Sequence, residues 1–240
     1  MRRLSLFLAC LLWPALSWGA VAHQTTTGYT QSTLANSKTQ SFTVSSGSNL
    51  CLIVTVGIET ASRTVSGITF NGVALTKKSD HSYLTPTPPI RSEIWYLVNP
   101  AVTSANVVIT IASSQTAIFS GGITSVTGCH QTTPLGTAVE SGATAANPSV
   151  TVTDGATGDL VLDFLVENWG AVTVGAGQTV RFDNGCLTAF CYHGSTEPGA
   201  ASVTMSWTHS SADRLLVGIN IFQATGTTDE TFGFRKRLPQ

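Results

Sequence analysis

The chain has 240 residues, with 12 Lys and Arg against 13 Asp and Glu and only 10% charged residues, where an ordinary soluble domain carries roughly 25%. That excludes a coiled coil, which needs Glu and Lys in bulk, a charged disordered tail, and a nucleic-acid binder working through a basic face. A 42% hydrophobic share can build a core, so the polar surface must be made of Thr, Ser, Asn and Gln.

At the start of the chain, Met1-Arg2-Arg3 is positive, Leu4 to Trp18 is apolar, and Ala20-Val21-Ala22 is a small-x-small triplet. These are the parts of a secretory signal peptide over residues 1–22, cleaved after Ala22 to leave His23 first. The apolar run contains Pro14 and is shorter than the roughly 20 residues of a membrane span. Cys10 lies inside that run, not after it, which argues against a lipid anchor. The reading is a secreted or cell-surface protein with no membrane span once the leader is removed.

Beyond the leader, period-2 apolar alternation recurs and helical periodicity does not. Leu50, Leu52, Val54 and Val56 alternate with Cys51, Ile53 and Thr55. Asn71-Gly72 joins Ile68-Thr69-Phe70 to Val73-Ala74-Leu75, a two-residue hairpin signal. The prolines at 86, 88 and 89 predict an extended loop. Ile94-Tyr96-Val98, Val107-Ile109-Ile111, Val150-Val152, Leu160-Leu162-Phe164, Val203-Met205-Trp207 and Leu215-Val217-Ile219-Ile221 continue the pattern. The prediction is an all-β, antiparallel two-sheet β-sandwich, jelly-roll or Ig-like, of about a dozen strands. Trp95 and Trp207 fall within strands and read as packing residues.

The chain also echoes itself. A shift of about 96 residues sets Tyr96 on Tyr192, Val107 on Val203, Gly122 on Gly218 and Ile123 on Ile219. This predicts two duplicated halves, about 40–128 and 149–224, inside a single domain over 23–224. Each half of about 80 residues would struggle to cover both faces of its own sheet. Residues 225–240, ending Arg235-Lys236-Arg237-Leu238-Pro239-Gln240, read as a flexible tail.

Without Cys10, four cysteines remain, Cys51, Cys129, Cys186 and Cys191. An even number in an exported chain reads as disulfides. Three pairings are possible. Cys186–Cys191 is favoured because it would pin a local turn, with Cys51–Cys129 by elimination. A metal at the C-x4-C spacing is the weaker reading, since only His193 stands nearby, and no metal or cofactor is expected.

Gly67-Ile68-Thr69-Phe70-Asn71-Gly72-Val73-Ala74-Leu75-Thr76, then Glu93-Ile94-Trp95-Tyr96-Leu97-Val98-Asn99-Pro100 and Gln131-Thr132-Thr133-Pro134-Leu135-Gly136, resemble uncharacterised β-sandwich modules of secreted bacterial proteins and phage-tail-like proteins. The resemblance implies a β-sandwich in an extracellular or surface setting. Its motifs are hairpins and strand patterns, so it carries no site residues.

The search for chemistry finds no Gly-x-Ser-x-Gly elbow, His-Glu-x-x-His helix or phosphate loop. Asp163 and Glu167, four apart on one strand, are the pair a glycosidase would need, though such residues also serve structure. Asp154 and Asp159 flank a turn with too few ligands for a dedicated calcium site. A binding module fits better. Glu167-Asn168-Trp169 places an aromatic ring beside two polar groups at a strand end, and His81-Ser82-Tyr83 lies before the proline loop. Trp169, Asn168, Glu167, Tyr83 and His81 are therefore the candidate recognition residues. The expectation is a non-catalytic protein of extracellular recognition or adhesion that binds glycans. A structural subunit of a fibre, coat or tail-like assembly is the alternative, and a glycan hydrolase comes third. Partners are glycans or other copies of the chain, not nucleic acid.

Overall fold

The structure is a computed structural model, and it describes residues 19–85, 89–112, 115–168, 170–210 and 212–225. Most of the expected leader, the centre of the proline loop, Trp169 and nearly all of the expected tail lie outside these residues.

Among the described residues, seventeen strands form. The first half holds β1 (Ala22–Ala35), β2 (Ser37–Thr43), β3 (Cys51–Ile58), β4 (Val65–Phe70), β5 (Val73–Ala74), β6 (Thr76–Tyr83), β7 (Ile90–Val98), β8 (Ser104–Ile111) and β9 (Ala117–Thr127). The second holds β10 (Val139–Ala145), β11 (Ser149–Val152), β12 (Leu160–Glu167), β13 (Thr173–Val174), β14 (Thr179–Cys186), β15 (Cys191–Pro198), β16 (Val203–Thr208) and β17 (Ala212–Ile221). The named strand pairs are antiparallel. The chain is thus an antiparallel β-sandwich, with more strands than the dozen expected.

Strand order repeats between the halves. One five-stranded sheet runs β1-β9-β3-β7-β6 and the other runs β10-β17-β12-β15-β14. Each is accompanied by a smaller sheet, β2-β8-β4-β5 in the first half and β11-β16-β13 in the second. Three apolar clusters show how the four sheets stack. Phe42, Val54, Ile68, Ile109 and Phe119 fill the space between the two sheets of the first half. Val150, Val161, Met205, Trp207 and Leu216 do so in the second. Cys51, Ile53, Ile94, Leu162, Phe164, Tyr192 and Val217 fill the space between the two large sheets.

The layering explains the burial. β3 and β12 are central strands of inner sheets, covered on both faces, and all eight residues of each are buried. Their sequences are accordingly near-continuous apolar runs. Strands of the outer sheets alternate instead. In β16, Val203, Met205 and Trp207 are buried while Thr204 and Thr208 are exposed.

The large sheets approach closely at Gly122 of β9. The Phe182 ring of β14 lies over it, and also over Gly194 on the neighbouring strand β15 of its own sheet, so a Cβ built at either would stand 2.3 or 2.2 Å from the ring. The Asn184 amide, from the second half, donates to Ser120 Oγ at 2.9 Å and to the carbonyls of Gly121 and Tyr29 at 2.8 and 3.2 Å. The Asn71-Gly72 hairpin forms as read, with φ of 49° and 79° and Thr69 opposite Ala74.

One expected disulfide is present, Cys186–Cys191. The other is not. Cys51 and Cys129 are buried free thiols. Elimination paired residues of one apolar cluster, the core between the two large sheets. The neighbouring Cys129, then burial, push the Cys51 thiol well above its ordinary value. A protonated thiol is a poor nucleophile, which opposes closure of the bond in the folded chain.

Candidate functional site

Glu167 is wholly buried, not exposed beside a recognition loop. β12 carries its side chain under the outer sheet. Oε1 lies 3.4 Å from His193 Nε2, and Oε2 lies 3.0 Å from His209 Nε2. His193 Nδ1 in turn lies 3.1 Å from Asp183 Oδ1. The error has a physical cause. A strand end is exposed in a two-sheet sandwich with open ends, but β12 has a sheet on either side.

Asp163 shares that face, as the four-residue spacing predicts, and it too is wholly buried. Four donors surround it. Ser195 N and Oγ donate to Oδ1, both at 2.8 Å, while Trp207 Nε1 and Gln178 Nε2 donate to Oδ2 at 2.8 and 3.1 Å. Burial pushes its carboxyl up to about 6, and the four hydrogen bonds oppose that rise. The first half holds a counterpart. Glu93 is wholly buried and accepts from Trp95 Nε1 and Val65 N, each at 3.0 Å, with Lys77 Nζ also at 3.0 Å. Each half therefore clasps one carboxylate with a tryptophan inside its own sandwich. Neither Asp163 nor Glu167 presents an oxygen to solvent where a sugar ring would reach it.

Glu167 also lies near the two bridged cysteines, with potential ligand atoms of all three within 4.8 Å. The sulfurs are bonded to each other, so they offer no thiolate to a metal.

Tyr83 and Asn168 come together through a relay. Tyr83 OH and Thr144 Oγ1 are 3.1 Å apart, and Thr144 Oγ1 donates to Asp213 Oδ1. Asn168 then binds Asp213 twice, accepting from its amide at 2.8 Å and donating to its carbonyl at 3.0 Å. His81 Nδ1 lies 2.7 Å from Glu140 Oε2. All three predicted residues are thus engaged in tying β6 of one half to β10, or β12 to β17. Trp169 is outside the described residues. Among those described, the exposed large hydrophobic residues are Leu34, Val73, Leu84, Val102 and Val180, none of them aromatic.

Asp154 and Asp159 serve turn geometry. Asp159 accepts from Ala156 N at 2.9 Å, Asn220 Nδ2 at 2.8 Å and Gln223 N at 2.7 Å, and Asp154 accepts from Thr137 N at 2.7 Å.

What the sequence reading passed over is the outside of the stack. On the outer face of the β2-β8-β4 sheet, Ser37 lies opposite Thr110, Thr39 opposite Val108, Ser41 opposite Asn106 and Thr43 opposite Ser104. Thr69 lies on the other side of Val108. No side chain in these rows is charged. Two shallow grooves of about 570 and 540 Å³ cross the face and meet at Val108, with Ser37, Ser66 and Thr110 lining one and Ser41, Asn71 and Asn106 the other. The opposite outer sheet repeats the pattern, with Ser149 against Ser206, Thr151 against Thr204 and Thr173 against Thr208. The signal was present as alternating Thr and Ser, which reads equally well as a device for solubility.

No helix among the described residues is long and apolar enough to cross a membrane. No family model, curated protein or solved structure matches the chain.

Proposed function

We propose that the protein is an extracellular, non-catalytic recognition module for neutral glycans, and that it binds them along the outer face of the β2-β8-β4 sheet. One observation carries this reading, the uncharged hydroxyl and amide face crossed by two grooves that meet at Val108. Thr, Ser and Asn side chains donate and accept hydrogen bonds, matching the hydroxyls of a sugar polymer. A face without charge favours neutral polymers over anionic ones. The Cys186–Cys191 disulfide is consistent with an oxidising, extracellular setting. The enclosure of Asp163 and Glu167 weighs against a glycan hydrolase.

The test is a panel of neutral and acidic polysaccharides. Binding to a neutral polymer should change less than about twofold between low and high salt, because no ion pairs are involved. Thr39→Lys and Asn106→Lys should each weaken it at least tenfold while leaving stability within about 0.5 kcal/mol. Binding that survives both substitutions would refute the face assignment.

A structural subunit of a surface assembly is the second reading, and the repetition of the same kind of face on the opposite outer sheet favours it. Filaments in the electron microscope, with no polysaccharide bound, would select it.

A further inference from the structure

The N-terminal residues described bear on where the leader is removed. Val21 is 6% exposed and belongs to the core between the two large sheets, together with Val126, Cys129 and Leu160. Its amide donates to Gly158 O at 2.7 Å, in the turn before β12. One step earlier, the carbonyls of Gly19 and Ala20 lie over Gly128, 2.8 and 2.7 Å from where a Cβ there would stand. Residues 19–21 thus reach turns in both halves. Gly19 and Ala20 are themselves exposed, with open space around Gly19.

A leader is discarded, so a side chain built into the core belongs to what stays. Cleavage after Ala22 would leave a void where Val21 packs and strip the Gly158 carbonyl of its donor. Ser17-Trp18-Gly19 is another small-x-small triplet, and it ends just before the packed residues. We propose that the leader is cut between Gly19 and Ala20, so that the mature protein begins Ala20-Val21-Ala22. One water hydrolyses that peptide bond, leaving the carboxylate on Gly19 and the amine on Ala20. The proposal rests on the secretory reading of the N-terminus.

The full chain, expressed in a bacterial host that exports proteins, tests it by N-terminal sequencing and intact mass of the exported product. A start at Ala20 supports the proposal, and a start at any other residue overturns it. A mass that retains Met1 would overturn the secretory reading as well, which separates the two failures. The core argument has its own check in two shortened chains beginning at Ala20 and at His23. The His23 chain should melt about 5 °C lower, and equal melting would remove the basis of the proposal.

Discussion

Asp163 shows what one buried charge does to a sandwich. Its four hydrogen bonds hold Trp207, Ser195 and Gln178 in place, yet burial still lifts its carboxyl to about 6 from 3.8. The sign follows from linkage. Between about pH 4 and pH 6 the folded chain keeps a proton that the unfolded chain has lost, so this group's contribution to stability falls as pH rises through that window. The difference corresponds to about 3 kcal/mol. Urea unfolding of the parent and Asp163→Asn at pH 4 and pH 7 should show the parent losing ground to the variant by an amount of that order. Parallel behaviour at the two pH values would mean that Asp163 is not strained by burial. The cysteines give a second residue-scale test. Unreduced protein should lack the hydrogens of one disulfide, Cys186–Cys191, and Cys51 and Cys129 should resist alkylation until the chain unfolds. A mass short by two disulfides would restore the pairing expected from elimination.

Individual elements were legible to different degrees. β3, β7, β8, β12, β16 and β17 announce themselves through apolar residues, because their side chains fill one of the three interlayer cores. β1, β6, β10 and β14 do not, and they are the edge strands of the two large sheets. β6 reads Thr-Lys-Lys-Ser-Asp-His-Ser-Tyr, with little apolar content, and is held by backbone pairing to β7. Side-chain periodicity carries no signal for such a strand. The same blindness misplaced the candidate site. Glu167 and Asn168 look like a strand-end loop until the covering sheet is seen, and His193 and His209 lie far from Glu167 in sequence although all three meet. Close sheet contact was equally silent, since Gly122 looks like an ordinary strand glycine. Gly122→Val drives a side chain into the Phe182 ring and should cost about 3 kcal/mol by overpacking, read as a lowered denaturant midpoint. An unchanged midpoint would show that the two large sheets do not pack as tightly there as described.

At the scale of the whole molecule, low charge content acquires a geometry. The buried carboxylates Asp163, Glu167 and Glu93 lie inside the layers, and both outer sheets present Ser and Thr, joined by Asn106 on the β2-β8-β4 face. Charges such as Lys77, Asp80 and Arg91 gather along the β6 edge, where they pair with one another and discourage edge-to-edge association. The chain therefore offers flat neutral faces framed by charged margins, which suits a neutral partner better than an ionic one. Amide hydrogen exchange with and without saturating chitohexaose, cellohexaose or xylohexaose tests this most directly. The account predicts that a bound oligosaccharide slows exchange in β2, β8 and β4 and leaves the Tyr83–Asn168 relay unchanged. Protection confined to that relay, or no protection with any of the three, would contradict it.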